Sequence, residues 1–268
     1  MAKGRQAGDE KERSPAKERA IQAQLNDFAV RSFRDVADQD YIAARTSYRA
    51  GLIPQFLWSS LQAFEKYLKA ILLFNRIPAR SVGHSLSRAL DRAKGLPFEL
   101  GLSDDTHYFM NFVDKFGEVR YLERSYYVRG PEFILLDKAV WEIRRYCKVL
   151  DYSITLDGGR VKRLLDFELR MIQGSEDRPP QEFRWFRGHL EKVTAKKAHP
   201  SRPFLIWQNA YFGSRRRRTV EVPTHFHATN APLALTPALV DEVKKYVHLP
   251  RALVRAAGQK VETDGSAL

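Results

Sequence analysis

The sequence predicts a mostly α-helical protein, with an antiparallel bundle of four or five helices followed by a smaller, mainly helical module that could include short strands. Residues 55–74 carry the strongest signal, because apolar side chains recur there in alternating steps of four and three. Glycine and proline divide the flanking sequence into helix-sized segments. The apolar stripe of residues 55–74 consists of Leu57, Leu61, Phe64, Leu68 and Ile71.

The composition is that of a folded protein with a basic surface. Of the 268 residues, 44% are hydrophobic and 12% are aromatic, which is enough for one large domain or two ordinary ones with packed cores. The formal net charge of +13 favours a polyanionic partner such as RNA, DNA, a nucleotide phosphate or an anionic membrane surface. A basic surface without any such role is the alternative interpretation.

Several classes of protein are excluded by simple features of the sequence. Cys147 is the only cysteine, which rules out an intramolecular disulfide and a zinc site built from several thiolates. No uninterrupted apolar run approaches the length of a membrane span, and the first twenty residues lack the apolar core of a signal peptide. We therefore expect a cytoplasmic protein, and the absence of a glycine-rich phosphate loop gives no reason to expect a cofactor.

The first elements follow from charge and periodicity. We expect residues 1–26 to form a polar tail, either disordered or as a solvated helix. The first helix of the bundle then spans about residues 27–50, and residues 55–74 form the second. Glu65 and Lys69, four residues apart, are predicted to form an ion pair along this second helix.

Shorter helices and then one long helix complete the predicted bundle. Residues 85–94 form the third helix, and Ser103 is the predicted N-cap of the fourth. Pro131 opens a helix that continues to about residue 153. The exposed side of this long helix is expected to carry Arg144, Arg145 and Lys148.

The C-terminal half begins after a Leu-Asp-Gly-Gly sequence at residues 156–159, which is the best internal boundary because such dipeptides break regular structure. Beyond it we expect helices at about residues 160–173 and 182–196, and another that starts at Thr236. Residues 204–212 are apolar and aromatic, and are consistent with either a strand or a helix. The predicted division is a tail at 1–26, a bundle at 27–155, a C-terminal module at 160–250 and a loose tail at 251–268.

Three stretches of the N-terminal half resemble the HEPN family. They are QAFEKYLKAIL in the second helix, DYIAARTSYRAGL before it and GHSL after it, and the resemblance covers about residues 30–150. HEPN domains are small helical bundles of prokaryotes that are often encoded beside nucleotidyltransferase-like partners, and some are RNA-cleaving toxins whereas others are non-catalytic. The resemblance therefore implies a dimeric helical bundle that acts on RNA or nucleotides, in a toxin–antitoxin or defence setting. No family is recognised in the C-terminal half.

The resemblance also directs attention to one catalytic motif. Active members of the family carry an arginine, four to six intervening residues and then a histidine. Histidine can exchange a proton with the 2′-hydroxyl near neutral pH, and arginine can stabilise the charge of the phosphorane. Arg120 lies at the expected place, but residues 125–127 are Ser, Tyr and Tyr, so the histidine is missing. The candidate catalytic residues are Arg120, Arg124 and His84, of which the last is expected to serve the fold at a helix start.

The block around Arg120 is better suited to binding than to cleavage, because arginines bind phosphate and tyrosines stack on bases. The same residues could instead pair and pack within the fold. A run of four arginines that follows an aromatic segment also suits single-stranded nucleic acid, and a solvated loop is the equal alternative. The nucleic-acid-binding candidates are Arg120, Tyr121, Arg124, Tyr127, Arg215, Arg216, Arg217 and Arg218.

A metal site has weaker support. His225 and His227 lie on one side of an extended segment, a spacing seen in metal sites, but no third ligand is close in the sequence. They are therefore only weak metal candidates.

Three functional hypotheses remain open for this chain. It could bind RNA or nucleotide phosphates without cutting them. It could be a metal-independent ribonuclease, with His189 or His225 brought near Arg120 by the fold or by a second copy. It could also be a non-catalytic subunit that docks a nucleotidyltransferase-like partner.

Overall fold

A computed structural model describes residues 14–117, 124–176, 178–184, 188–213, 219–251 and 253–254. The described chain is mostly helical with a few short strands, which confirms the predicted fold class. The elements of the bundle are α1 (Pro15–Phe28), a π-helical segment (Ala29–Arg34), α2 (Asp35–Arg49), α3 (Ile53–Phe74), α4 (Leu86–Ala93), α5 (Asp104–Phe116), β1 (Tyr126–Arg129) and α6 (Gly130–Arg144). The later elements are β2 (Ser153–Thr155), β3 (Val161–Arg163), α7 (Leu165–Gly174), a 3-10 turn (Pro180–Glu182), α8 (His189–Ala195), α9 (Arg202–Ile206), β4 (Phe226–Thr229), α10 (Pro232–Leu235), a 3-10 turn (Pro237–Leu239) and α11 (Val240–Val243).

Helix α3 is the centre of the bundle. It contacts α1, α2, α4, α5 and α6, and 14 of its 22 residues are buried, so apolar side chains surround nearly its whole circumference. All five residues of the predicted stripe are at most 1% exposed. The predicted ion pair is also present, with Lys69 Nζ 2.5 Å from Glu65 Oε1. Within the described residues, no helix combines the length and apolarity needed to cross a membrane.

The chain becomes helical earlier than periodicity predicts. We expected the first helix to begin near residue 27, but α1 begins at Pro15, where the Ser14 hydroxyl accepts a hydrogen bond from the amide of Lys17. Helix α1 has no buried residue, so it carries no apolar stripe that could have revealed it. It continues through the π-helical segment directly into α2.

The third and fourth helices follow the prediction. Ser85 caps α4 and Ser103 caps α5, each through a side-chain oxygen that accepts a backbone N–H three residues on. Asp114 near the end of α5 accepts the amide of Leu86 at 2.8 Å, which joins the end of one helix to the start of the other. The loop geometry between α3 and α5 is thus fixed by polar contacts.

Helix α6 differs from the prediction in length and orientation. It ends at Arg144 rather than near residue 153, and the prediction that Arg144 and Arg145 lie on an exposed side is wrong, because both are at most 2% exposed. Arg145 lies over the ring of Trp141 at 4.0 Å and donates to the carbonyl of Ile172 at 2.9 Å. Arg144 and Arg145 were expected at the surface because they are charged. Their partners lie on segments that are distant in the chain, so the local sequence does not reveal them.

Arg144 is held by carboxylates on two different elements. Its Nε donates to Asp38 of α2 at 2.7 Å, and its Nη atoms donate to both oxygens of Glu191 of α8 at 2.9 and 2.8 Å. The Tyr67 hydroxyl also donates to Asp38, at 2.6 Å. This buried network joins α2, α3 and α6 of the bundle to the C-terminal half.

Arg45 makes a second connection of the same kind. Its guanidinium pairs with Asp137 of α6 and donates through Nε to the carbonyl of Phe204 at 3.0 Å. Tyr41 donates to Asp137 at 2.6 Å and accepts from Asn209 at 2.8 Å. Residues 189–209 therefore pack on the α2–α6 face of the bundle, and the proposed division at residues 155–160 stays a prediction.

The hairpin β2–β3 replaces the first part of a predicted helix. We expected a helix from about residue 160 with Val161 inward, but Val161 belongs to β3 and is 65% exposed, and α7 begins only at Leu165. Gly158 and Gly159 both have positive φ angles, which allows the tight turn between the two strands. The predicted helices at residues 182–196 and from Thr236 are shorter in the structure, as α8 and α11.

The last long-range contact is an antiparallel ribbon between β1 and β4, which are about a hundred residues apart in the chain. Gly130, directly after β1, allows this arrangement, because a Cβ atom built there would lie 1.5 Å from the carbonyl oxygen of Pro223. The segment before β4 therefore passes directly against the start of α6.

Candidate nucleic-acid interface

The β1–β4 ribbon has one buried and one exposed face. In β1, Tyr126 and Val128 are buried whereas Tyr127 and Arg129 are exposed, as the alternation of a strand requires. The register pairs Arg129 with Phe226, so these two side chains share the outer face. We call this outer face, with Tyr127, Arg129 and Phe226, the ribbon platform.

Two aromatic rings form the surface of the ribbon platform. The rings of Tyr127 and Phe226 are stacked, with centroids 5.9 Å apart and planes 24° from parallel. Tyr127 is 52% exposed and Phe226 is 64% exposed, so both rings are open to solvent although they touch each other. An exposed pair of this kind offers a flat π surface on which a base can stack.

Arg129 borders the ribbon platform but has a fixed partner. Its guanidinium carbon lies 5.9 Å from the ring centroid of Tyr127, and its Nη2 donates to the buried Glu132 carboxylate at 3.0 Å. The hydrogen bond to Glu132 and the attraction of that charge raise the pKa of Arg129 above its usual range. Because the charge is balanced by Glu132, Arg129 shapes the platform more than it attracts an anion.

Arg124 supplies the unbalanced charge. It is exposed at the other end of β1, and it makes no ion pair with any residue in the described part of the chain. Next to it, the Ser125 hydroxyl accepts the amide of Ala231 at 3.0 Å, which ties β1 to the segment after β4. Arg124 is therefore an exposed cation just before β1, available for a phosphate.

The inner face of the ribbon carries His227. The ring of His227 lies 6.3 Å from that of Tyr48, which stacks on Phe133 with centroids 4.5 Å apart. Burial and the nearby charge of Glu132 raise the pKa of Tyr48 to about 12, so its hydroxyl stays protonated at neutral pH. His227 thus contacts an aromatic cluster of the core.

The two metal candidates lie close together without further ligands. The rings of His225 and His227 are 6.2 Å apart, but the described residues contain no group of three or more histidine, cysteine or carboxylate side chains that could hold a metal ion. Two imidazoles alone do not make the four-ligand site that zinc adopts.

His84, a catalytic candidate, lies in a different place. Its Nδ1 donates to Glu65 of α3 at 2.9 Å, and its side chain is 61% exposed. Burial alone would raise the pKa of Glu65, but the hydrogen bonds from Lys69 and His84 outweigh it and lower that pKa below its usual value. His84 thus links the start of α4 to α3, and its role stays a prediction.

Several predicted site residues fall outside the described part of the chain. These are Arg120, Tyr121, Arg215, Arg216, Arg217 and Arg218. Of the predicted binding residues that are described, Tyr127 and Arg124 lie near each other at the ribbon.

The ribbon separates Arg124 from the histidines of β4. His227 lies opposite Val128, four residues beyond Arg124, which corresponds to roughly 13 Å along a strand. His225 comes before Phe226, the partner of Arg129, and therefore lies further from Arg124 along the ribbon than His227 does. His189 opens α8, whose next amide approaches Asp38 in the buried network of Arg144. The described geometry therefore gives no support for placing His189, His225 or His227 at Arg124.

Sequence reasoning missed Phe226 and Arg129 as members of this surface. The alternation of residues 126–129 is the signal that could have indicated a strand, but it spans only four residues. The partner strand could not be identified, because nothing local specifies a pairing across a hundred residues.

Comparison with known proteins gives one match. The family model described as the HEPN domain matches residues 30–140, which confirms the resemblance and lies within the stretch expected for it. This span includes α2 to α5, β1 and most of α6. No curated protein and no solved structure matches the chain.

Proposed function

We propose that this protein binds single-stranded RNA at the ribbon platform and at Arg124, without cutting it, and the match of residues 30–140 to the HEPN domain model is the premise of this proposal. A HEPN domain suggests an RNA-related or nuclease-like function. The net charge of +13 supports a polyanionic partner, because an RNA backbone releases counterions when basic groups neutralise it.

The observation that carries this proposal is the exposed stack of Tyr127 on Phe226. The two rings are exposed and stacked on each other, and such a pair accepts any base through its π face. Arg124 lies three residues from Tyr127 in the chain, roughly 10 Å in extended backbone, and an exposed arginine there can bind a phosphate. Binding at this surface would tolerate many base sequences.

Binding is favoured over cleavage for a chemical reason. Cleavage by the 2′-hydroxyl needs a group that exchanges a proton next to the phosphate, and Arg124 has no histidine within hydrogen-bond reach among the described residues. Stacking and phosphate contacts need no such group.

Fluorescence anisotropy with a labelled twelve-nucleotide oligouridine tests the proposal. We expect Tyr127→Ala to weaken binding by about 1–3 kcal/mol because one stacking surface is lost. Tyr246→Ala is the matched control, since Tyr246 is 78% exposed and belongs to neither strand of the ribbon. Equal affinities of the two variants would refute stacking at the platform.

The contribution of Arg124 is tested by salt dependence. Arg124→Gln should reduce the slope of log affinity against log salt by about 0.7, the value for one phosphate contact on a single strand. Arg170→Gln on α7 is the matched control, because Arg170 is also exposed and its Nε donates only to a backbone carbonyl in its own helix. A slope that is the same in both variants would exclude a phosphate contact by Arg124.

The alternative of a metal-independent ribonuclease is tested with the same protein. The wild type is incubated with a mixed RNA pool in the presence of EDTA, alongside Arg120→Ala and Arg218→Ala variants. We expect intact RNA in every lane. Cleavage by the wild type that is lost with Arg120→Ala would overturn the proposal of binding without cleavage.

The finer assignments are proposals that rest on the family alone. We propose a homodimer that acts in the cytoplasm, in a toxin–antitoxin or defence setting, where a nucleotidyltransferase-like protein is a possible partner. Light scattering coupled to size-exclusion chromatography tests the dimer directly. A single peak at the monomer mass of 30.9 kDa would contradict it.

A further inference from the structure

A groove of about 520 Å³ lies where the π-helical segment, the end of α3 and the following loop meet. Its volume is in the range of sites for small ligands. The lining shares no residue with the ribbon platform, and its floor is apolar. The apolar part of the lining consists of Phe33, Leu73, Ile77, Pro78 and Ala79.

The π-helical segment contributes Phe33 to this floor. Such segments are rare, because a hydrogen bond from each residue to the fifth one along is poorer than the α-helical bond, and they occur often at functional sites. Here the segment is six residues long, and its last backbone bond runs from the amide of Asp35 to the carbonyl of Val30. Phe33 is only partly buried and packs edge-on against Phe28, with centroids 5.8 Å apart.

Three basic residues surround the apolar floor, and no acidic residue lines it. Lys69, Arg76 and Arg80 are all part of the lining. Lys69 forms an ion pair with Glu65, and Glu65 also accepts a hydrogen bond from His84. Arg80 is exposed and has no ion pair among the described residues. The rim is therefore positively charged around an uncharged floor.

Arg76 is held at the rim in an unusual conformation. Its φ angle of 59° lies in the left-handed region and belongs to the C-terminal cap of α3, where the amides of Arg76 and Ile77 donate to Leu73 O at 3.1 Å and to Leu72 O at 2.8 Å. Its guanidinium donates to Leu73 O at 2.6 Å, to Gln22 O at 3.0 Å and to Asn26 Oδ1 at 2.8 Å. All of these acceptors are neutral, so the hydrogen bonds position the charge of Arg76 without cancelling it.

We propose that this groove is a binding site for an anionic amphiphile, a small molecule with an apolar body and one sulfonate, carboxylate or phosphate group. The body lies on Phe33, Leu73 and Ile77, and the anionic group lies near Arg80 at the rim. The charge pattern distinguishes this groove from the one of about 590 Å³ beside α4 and α5, which is lined by both Lys94 and Glu99. A groove lined by one sign of charge concentrates ligands of the opposite sign.

The test uses two fluorescent dyes that share an aromatic body. The first, 1-anilinonaphthalene-8-sulfonate, carries an anionic group, and the second, N-phenyl-1-naphthylamine, is uncharged. We expect Arg80→Gln to weaken binding of the sulfonate by about fivefold, the effect of one exposed charge, and to leave binding of the neutral dye unchanged. Arg88→Gln is the matched control, because Arg88 is exposed on α4 outside the groove.

A second variant separates the groove from other apolar surfaces. Ala79→Trp fills the floor, and we expect it to weaken binding of both dyes while the far-UV circular dichroism spectrum stays that of the wild type. The proposal is overturned if Arg80→Gln and Arg88→Gln have the same effect on the sulfonate. It is also overturned if Ala79→Trp leaves both dyes bound as tightly as in the wild type.

Discussion

The buried pair of Arg144 and Asp38 gives a prediction with a magnitude. Asp38→Asn keeps the shape of the side chain and an acceptor for the Tyr67 hydroxyl, but it removes one of the two negative charges that Arg144 contacts. Arg144 is 2% exposed and Asp38 is 0% exposed, so water cannot replace the lost charge. The change therefore tests whether this network joins the bundle to the C-terminal half.

The expected loss of stability follows from the burial of the pair. Breaking a buried ion pair by removing one partner costs about 3–5 kcal/mol when the other charge is left unpaired. Glu191 still contacts Arg144 after the substitution, so we expect about 2–3 kcal/mol, the upper range for hydrogen bonds to a charged group. Domain stabilities are about 5–15 kcal/mol, which makes this loss readily measurable.

Urea denaturation followed by far-UV circular dichroism measures the free energy of unfolding. Asp91→Asn is the matched control, because its ion pair with Lys94 is exposed, at 68% and 80%, and should contribute less than about 1 kcal/mol. We also expect Asp38→Asn and Glu191→Gln to be non-additive, since both contact one guanidinium. A loss for Asp38→Asn no larger than that of Asp91→Asn would refute the reasoning.

Three further predictions concern single residues. Gly130→Ala places a Cβ against the carbonyl of Pro223, so we expect about 1–3 kcal/mol of destabilisation by urea denaturation together with weaker RNA binding; unchanged values would contradict the close approach. The pKa of Glu65 is lower in the folded protein than its usual value. The ionised carboxylate therefore stabilises the fold fully above the usual pKa, and this stabilisation is lost as the pH falls through the lowered pKa. Glu65→Gln should therefore lose less stability than the wild type on acidification, and parallel curves in urea titrations at several pH values would exclude this. Burial raises the pKa of the Cys147 thiol, so Ellman's reagent should modify it at pH 8 only after unfolding, and rapid reaction of the native protein would contradict its burial.

The sequence was most informative where the signal is local. The spacing of apolar residues in α3 identified both the helix and its buried face, and Ser103 was identified as a cap because capping depends on neighbouring residues. The solvated helix allowed for the polar tail is present as α1, but its bounds could not be predicted because it buries nothing and therefore has no periodic stripe. Local chemistry thus accounts for most of the bundle.

The site was harder to predict because its parts are distant in the chain. Tyr127 and Arg124 were chosen for their chemistry, but Phe226, which completes the stack, reaches Tyr127 only through the β1–β4 pairing. Arg144 was placed on the wrong side because a charged residue is usually solvated, and its two carboxylate partners lie on other helices. Neither contact leaves a pattern in the sequence.

The central claim is that Tyr127 and Phe226 act together as one stacking surface for single-stranded RNA. A double-mutant cycle tests it most directly, with the affinity for a labelled oligouridine measured for Tyr127→Ala, Phe226→Ala and the variant that carries both. We expect each single change to cost about 1–3 kcal/mol, and the double change to cost less than the sum by at least about 0.5 kcal/mol. Affinities equal to that of the wild type in all three variants would contradict the account.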